Sequence, residues 1–153
     1  MTKQSEGYGG RVLSEDRFRD GSLLYIKNPR KDPNGAIIEN DPLGHNILIY
    51  YMTPSSKKVV GYAFFDMYPD YCTISGIGIK EKSFKRNGIG TKVLSLIEED
   101  CAKCGVGMVF IPGANYEGRK HLLSNNYTEI NGRFFKEIPA PMQRSNTKPS
   151  SQI

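Results

Sequence analysis

The feature that most constrains the fold is a change in hydrophobic period near residue 80. Before it, short apolar and aromatic runs alternate with turn residues, a pattern typical of antiparallel strands. The expected strands cover residues 46–52, 58–68 and 71–79. After it, an α-helical face is formed by Ile89, Val93, Leu96, Ile97 and Cys101. The chain therefore passes from sheet to helix across a short connection, residues 80–88.

The pattern beyond this helix predicts two further strands and one more helix. Gly105 follows the helical face and is expected to end the helix. The expected elements are a strand over 106–111, a helix over 115–125 and a strand over 133–138. Residues 139–153 are polar and contain proline and serine, so we expect them to form a flexible tail.

The first 45 residues are less regular. They are rich in Gly, Asp, Asn and Pro, although residues 11–13 and 23–26 suit short strands or turns of helix. A chain of 153 residues suits one domain with one hydrophobic core. We therefore expect residues 1–45 to be an atypical N-terminal segment of the same domain, 46–138 its core, and 139–153 the tail.

Composition argues against several classes of protein. No apolar run approaches the roughly 20 residues of a membrane span, and the N-terminus has no apolar stretch typical of a signal peptide. Three cysteines are too few for a disulfide framework. Cys101 and Cys104 match C-x-x-C, but they end a helix, whereas redox pairs begin one, and two further zinc ligands are lacking. We expect reduced thiols, no metal and a cytoplasmic location.

Positive charge is concentrated around the connection from sheet to helix. The whole chain carries +5, and residues 80–92 contain five basic residues against one acidic residue, Glu81. Such a cluster indicates an anionic partner, which can be a phosphorylated cofactor, a nucleic acid or an acidic protein. From charge alone, a solvated basic face is an equal alternative.

Within this cluster, Lys85–Gly90 has the features of a phosphate-binding loop. Its glycines let a ligand approach the backbone, and the following helix presents N–H groups and the positive end of its dipole. Lys85 and Arg86 add full positive charges. The Gly-Thr-Lys sequence at 90–92 has the wrong spacing and order for a Walker A loop. A dinucleotide fingerprint is excluded because the preceding strands are expected to be antiparallel.

The loop resembles the acetyl-CoA signature Q/R-x-x-G-x-G/A of the GNAT superfamily of N-acetyltransferases. The second helix is similar to the family pattern N-x-x-A-x-x-F/L-Y-x-x-x-G-F, and here it reads Asn115-x-x-Gly118-x-x-His121-Leu122-x-x-x-Asn126-Tyr127. The resemblance covers roughly residues 46–138. It implies an α+β (α/β) fold, with a mixed, mostly antiparallel central sheet that is flanked by helices and splayed at strands four and five.

The resemblance also implies a reaction, transfer of an acetyl group from acetyl-CoA to a primary amine by direct attack on the thioester. The acceptor, a small molecule or a protein, is left open by the sequence. The fourth strand of the family pairs with the pantetheine, and the loop and helix N-terminus bind the pyrophosphate. The implied cofactor-binding residues are Ile77, Gly78, Ile79, Lys85, Arg86, Asn87, Gly88, Ile89, Gly90, Thr91 and Asn115.

The proton-transfer residues of the family are not at their usual positions. Leu122 stands where many members have the tyrosine that protonates the leaving thiolate, and Phe110 stands where some have a glutamate base. Lys85 replaces the preferred Gln or Arg of the signature. Two catalytic substitutes are His121, beside Leu122, and Asp66, which would act through a water. A surface histidine and a solvated carboxylate are the alternative interpretations.

These departures leave two other functions open. A pseudo-enzyme with this fold would act by CoA binding or by protein–protein contacts. A nucleic-acid-binding module would use the basic segment 80–92, but Phe84 is its single aromatic residue and no known binding motif is present. Nucleic acid is therefore the less favoured partner. The oligomeric state is open, and a homodimer is one option.

Removal of the tail tests the expected division of the chain. Truncation after Pro139 is expected to leave the melting temperature and acetyl-CoA binding unchanged, because residues 140–153 lack the apolar spacing needed to dock. Thermal unfolding and a binding titration measure the two properties. A large drop in melting temperature would show that the tail packs on the domain or on a partner subunit.

Overall fold

A computed structural model of the protein describes residues 7–39 and 44–139, so the predicted tail lies outside the described residues apart from its first position. Within this part of the chain, the strands are β1 (Arg11–Phe18), β2 (Gly21–Lys27), β3 (His45–Met52), β4 (Lys57–Met67), β5 (Cys72–Ile79), β6 (Met108–Ile111), β7 (Thr128–Ile130) and β8 (Arg133–Glu137). The helices are α1 (Ile89–Lys103) and α2 (Tyr116–Ser124), and a 3-10 turn, Lys82–Phe84, precedes α1.

The eight strands form one mixed, mostly antiparallel sheet in the order β1-β2-β3-β4-β5-β6-β8-β7. Strands β1 to β4 pair antiparallel in sequence order, and β8 pairs antiparallel with both β6 and β7. The parallel pair is β5 with β6, in the register Cys72↔Val109 and Thr73↔Phe110. The expected fold class is therefore confirmed.

The elements after residue 45 lie where the sequence predicted them, within two residues at each end. Helix α1 ends as expected, because Gly105 has a φ of +75° and the Val106 N–H donates to the Cys101 carbonyl at 2.8 Å. The segments 11–13 and 23–26 belong to strands β1 and β2 rather than to helical turns. The short strand β7 was not predicted.

The described chain divides into two compact units. The first unit comprises residues 7–39, 44–66 and 74–94, and the second comprises 67–73 and 95–139. In the first unit, β2 is buried on both faces, which explains its continuous apolar run. One cluster of its core consists of Tyr8, Leu24, Ile26, Tyr50 and Met52.

The buried side chains of the second unit include, from the helix and the two strands, Leu96, Ile97, Cys101, Val109, Ile111 and Phe134, together with Leu122 and Tyr127. The Tyr127 hydroxyl donates to Glu98 at 2.9 Å, and Lys136 donates to the other Glu98 oxygen at 3.0 Å. Burial, with the Glu98 carboxylate as a further cause, raises the pKa of Tyr127. The hydroxyl therefore remains a donor at neutral pH.

None of the three cysteines forms a disulfide, and Cys72 and Cys101 are buried whereas Cys104 is exposed. The Cys101 sulfur lies 3.8 Å from the Met67 sulfur, so Cys101 is a packing residue of the second unit. No group of three or more His, Cys, Asp or Glu side chains suited to a metal occurs within 7–39 and 44–139.

Substitution of Tyr127 by Phe tests the buried polar contact. Tyr127→Phe is expected to lower the free energy of unfolding by about 1–3 kcal/mol, because it removes the hydrogen bond from a buried hydroxyl to the Glu98 carboxylate, which is itself 18% exposed. Urea denaturation measures the change. The matched control is Tyr116→Phe, since Tyr116 is 72% exposed and should lose almost nothing. Equal effects of the two substitutions would contradict a stabilising role for this contact.

Candidate functional site

The connection between β5 and α1 is tied to β4 at its start. The Lys80 N–H donates to the Val60 carbonyl at 2.8 Å, just after β5 ends. The Lys58 ammonium lies 2.9 Å from the Glu81 carboxylate, although both side chains are partly exposed and the pair adds little stability. The 3-10 turn Lys82–Phe84 follows directly.

Phe84 anchors the connection in the core of the first unit, with 2% of its surface exposed. Its ring stacks on Phe18 with 5.7 Å between centroids and meets Tyr51 at 5.2 Å. The Arg19 guanidinium lies over the Phe84 ring at 4.9 Å and donates a hydrogen bond to the Ser83 carbonyl. Contacts from the hairpin of β1 and β2 therefore fix the connection just before the loop.

The loop Lys85–Gly90 has left-handed backbone at two alternate positions. Arg86 has a φ of +61° and Gly88 a φ of +81°. The Asn87 side chain donates to the Lys85 carbonyl at 2.8 Å and so braces the turn. A Cβ added to Gly88 would meet no heavy atom within 4 Å. Glycine at 88 therefore satisfies the backbone conformation, and the space above it is open to a ligand.

Helix α1 starts immediately after this open position. Ile89 is 2% exposed and fixes the first turn in the core. The Lys92 N–H donates to the Gly88 carbonyl at 2.9 Å, so the N–H groups before it belong to the positive end of the helix. The side chains of Lys85 and Arg86 are exposed beside that end. Open backbone, helix N-terminus and two cations together suit a phosphate group.

Residues Ile77, Gly78 and Ile79 form the end of β5 and are partly exposed. A Cβ on Gly78 would lie 2.5 Å from the hydroxyl oxygen of Tyr62 and equally close to its ring. Such a contact is impossible for any other residue without displacement of the tyrosine. Glycine at 78 therefore lets Tyr62 lie across this strand.

A cavity of about 430 Å³ lies elsewhere in the first unit, bounded by β3, β4 and β5 and by residues 38–39 and 44. Asp66 lines it from β4 and is half-buried. Phe64, two residues earlier on the same strand, lines it as well and is 46% exposed. Asp66 thus lines this cavity from a position near the end of β4.

The two remaining predicted residues belong to the second unit. Asn115 is the N-cap of α2, and its side-chain oxygen accepts from the Gly118 N–H at 2.8 Å. His121 is half-buried on α2, and burial lowers its pKa from 6.5. The neighbouring Leu122 is 5% exposed and packs in the core. Asn115 therefore has a structural role as a helix cap, and His121 lies next to a core residue of the same helix.

The first unit thus contains Asp66, the β5 end 77–79 and the whole segment 85–91 among the predicted site residues. Sequence reasoning missed what supports them, namely the anchoring of Phe84 by the N-terminal hairpin and the contact of Tyr62 with Gly78. Two signals were available. A lone aromatic residue interrupts a basic segment, and an isolated glycine within a strand indicates close approach of another group.

Comparison with known families assigns the chain to a family. The model of the Acetyltransferase (GNAT) family matches residues 15–120, which is more than half of the chain. The chain therefore belongs to the GNAT acetyltransferase family, whose cofactor is acetyl-CoA. A search of curated protein sequences found no significant match. Neither helix of the described chain has the length and apolar character that crossing a membrane requires.

Solved structures share the fold at low sequence identity. The ribosomal-protein-S18-alanine N-acetyltransferase from Escherichia coli has a TM-score of 0.54 at 15% identity, covering 67% of this chain and 74% of that chain. GCN5 from Tetrahymena has 0.53 at 11% identity, covering 67% and 72%. A KacTA–DNA complex has 0.55 at 11% identity, covering 65% and 70%. These likenesses concern the fold alone.

The lowered pKa of His121 predicts a pH dependence of stability. An unfolded chain protonates this histidine near pH 6.5, whereas the folded chain does so only at lower pH. Stability should therefore fall as the pH drops through that value toward the folded pKa. His121→Gln is expected to lose less stability than the wild type between about pH 7 and about pH 5.

Urea unfolding at a series of pH values measures this difference, and the second histidine, His45, is retained in both proteins. Identical pH dependence in the two proteins would contradict a buried, neutral His121.

Proposed function

We propose that the chain is an N-acetyltransferase that transfers an acetyl group from acetyl-CoA to a primary amine. The observation that carries this proposal is the loop Lys85–Gly90. Its backbone is left-handed at Arg86 and Gly88, open above Gly88, and continuous with the N-terminus of α1. A pyrophosphate fits there because backbone N–H groups, a helix dipole and two cationic side chains act at one place.

The other cofactor contacts would come from β5 and the first turn of α1. The partly exposed segment Ile77–Ile79 offers backbone groups for the pantetheine amides and for the thioester carbonyl. Asn87, Ile89, Gly90 and Thr91 would contribute backbone at the phosphates. Asn115, as a helix cap, has its side-chain oxygen engaged with Gly118, so its own contact would come from the remaining amide group.

Acetyl-CoA supplies an activated acyl group, and the protein supplies position and a route for one proton. Holding the amine near the thioester carbon accelerates the reaction by itself. Asp66 is half-buried in a cavity and can accept the amine proton through a water. His121, neutral because burial lowers its pKa, is the other candidate base. A positioned acid or base typically adds about 10²–10⁴-fold.

A second candidate function is a pseudo-enzyme that binds CoA without transfer. The observation that favours it is the apolar character of the two positions where family members carry proton-transfer groups. Leu122 is buried in the core, and Phe110 packs against Phe135 with 5.1 Å between ring centroids. Neither side chain can donate or accept a proton. Turnover, rather than binding, separates this function from the first.

Nucleic acid remains the less favoured partner of the basic segment 80–92. Phe84, its single aromatic residue, is 2% exposed and cannot stack on a base. One of its positive charges also has an acidic neighbour, since the Lys92 ammonium lies 3.9 Å from the Asp16 carboxylate. A cytoplasmic location and the oligomeric state stay predictions from the sequence.

Gly88→Glu tests the proposed cofactor site. Acetyl-CoA should raise the melting temperature of the wild type, because a ligand that binds the native state alone stabilises it by RT ln(1 + [L]/Kd). The variant should lose this shift, since it places a negative side chain in the open space of the loop. Thermal unfolding with and without millimolar acetyl-CoA measures the shift.

Gly132→Glu is the matched control. Gly132 has a φ of +79°, close to the +81° of Gly88, and its added Cβ would also meet nothing within 4 Å. Both substitutions therefore impose similar backbone strain, and only one lies in the proposed cofactor loop. Loss of the acetyl-CoA shift in both variants, or in neither, would reject the assignment of the loop. Turnover with an amine then distinguishes enzyme from pseudo-enzyme.

A further inference from the structure

We propose that the cavity of about 430 Å³ in the first unit, called here the acceptor cavity, binds the acetyl acceptor as an amine cation with an apolar segment. The proposal rests on the proposed function, because it names the substrate class of the same reaction. Its evidence is the shape of the cavity, the sign of its charge and the surface that joins it to β5.

The size and walls of the acceptor cavity suit a small organic molecule or a single side chain. Its volume lies within the usual range for ligand sites, roughly 300–1,000 Å³. Ile38, Leu48 and Phe64 supply apolar surface. Phe64 remains 46% exposed although it lies on β4, which has neighbours on both sides in the sheet.

Two carboxylates, Glu39 and Asp66, line the acceptor cavity together with His45, and none of the described lining residues is a lysine or an arginine. The permanent charges of this lining are therefore negative, in contrast to the +5 of the whole chain. An ammonium group can bind these carboxylates through charge-assisted hydrogen bonds. The exposed face of Phe64 adds a second means of attracting a cation. An anionic acceptor would be repelled by the same groups.

A continuous surface leads from the acceptor cavity to the proposed thioester position. The ring of Phe64 lies 5.3 Å from that of Tyr62, and Tyr62 lies against Gly78 at the end of β5. Between them, an added Cβ on Gly76 would lie 3.9 Å from Phe64 and 4.0 Å from Tyr62. The two rings therefore lie over a stretch of β5 that has no side chain at Gly76 and Gly78. This stretch reaches the residues where the pantetheine is proposed to pair.

The larger cavity of the first unit does not have this character. It measures about 630 Å³ and lies beside the turn between β1 and β2. Its lining combines Arg17 and Lys57 with Asp20, so its charges are mixed. No described contact joins it to β5. The acceptor cavity is therefore the better site for an amine.

The reaction balances with groups already named. The bound ammonium first gives one proton to Asp66 through a water, which leaves a neutral amine. A nitrogen–carbon bond then forms to the acetyl group as the carbon–sulfur bond of the thioester breaks. The second proton of the nitrogen goes to the thiolate. The products are an N-acetylated amine, free CoA and one proton released to solvent.

Direct binding of two probes with opposite charges tests the proposed preference of the cavity for a cation. Phenethylamine carries a primary amine on an apolar segment, and 3-phenylpropionate has similar size with the opposite charge. Isothermal titration without acetyl-CoA is expected to show phenethylamine binding at least about tenfold more tightly than the anion. Equal binding of the two probes, or tighter binding of the anion, would overturn the proposal.

Substitutions of the two cavity carboxylates test whether phenethylamine binds in the acceptor cavity. Glu39→Gln and Asp66→Asn are each expected to weaken phenethylamine binding by about tenfold. Glu15→Gln, a change of the same kind at an exposed residue of β1 outside the cavity, should have no effect. Melting temperatures establish that each variant is folded. Because Glu39 is exposed, its substitution should not disturb the fold, so Glu39→Gln keeps the test valid even if Asp66→Asn does not fold. Unchanged binding in the cavity variants would overturn the proposal.

The acetyl-CoA melting shift, measured on the same proteins, separates this inference from the proposed function. The cavity variants should keep the shift, because neither residue lies in the loop Lys85–Gly90. If phenethylamine binding depends on Glu39 while acetyl-CoA gives no shift, the cation site stands and the proposed function fails. If acetyl-CoA binds but phenethylamine does not, the proposed cofactor site stands and the acceptor cavity is rejected.

Discussion

The burial of Phe84 is the interaction on which the rest of the candidate site depends. A loop with several like charges would repel itself in isolation. Here the ring of Phe84, directly before that loop, packs against Phe18 and Tyr51, and the Arg19 guanidinium lies over it and donates to the Ser83 carbonyl. Loss of a buried phenylalanine side chain typically costs about 3–5 kcal/mol, a large fraction of the stability of most domains. The anchor therefore ties the start of the cationic loop firmly to the core of the first unit.

The first unit separates two opposite charges along its sheet. Cationic side chains and open backbone lie at the start of α1, and carboxylates line a cavity on β4. A negatively charged cofactor and a positively charged acceptor would each find one complementary region and one repulsive region. Such an arrangement gives specificity through exclusion as well as attraction. It also allows a protein with a net positive charge to have a pocket lined by carboxylates.

The sequence predicted most of the fold because the hydrophobic period reports local structure directly. Helix α1, its glycine cap and the central strands follow from spacing alone, and the loop 85–90 follows from glycines beside basic residues. The contacts of Phe84 with Phe18 and of Tyr62 with Gly78 could not be predicted, because each joins elements distant in sequence. Cavities likewise depend on side chains from several strands. β7 was missed because three residues are too few to show an alternation.

The contact between Tyr62 and Gly78 has a consequence for how this protein can change over time. The two positions lie on neighbouring strands, and the phenol fills the volume that any side chain at 78 would need. A larger residue at 78 therefore requires the Tyr62 ring to be displaced or to be replaced by a smaller side chain. Substitutions at the two positions should thus be coupled. Related sequences with two large residues should be fewer than those that keep one of the two positions small.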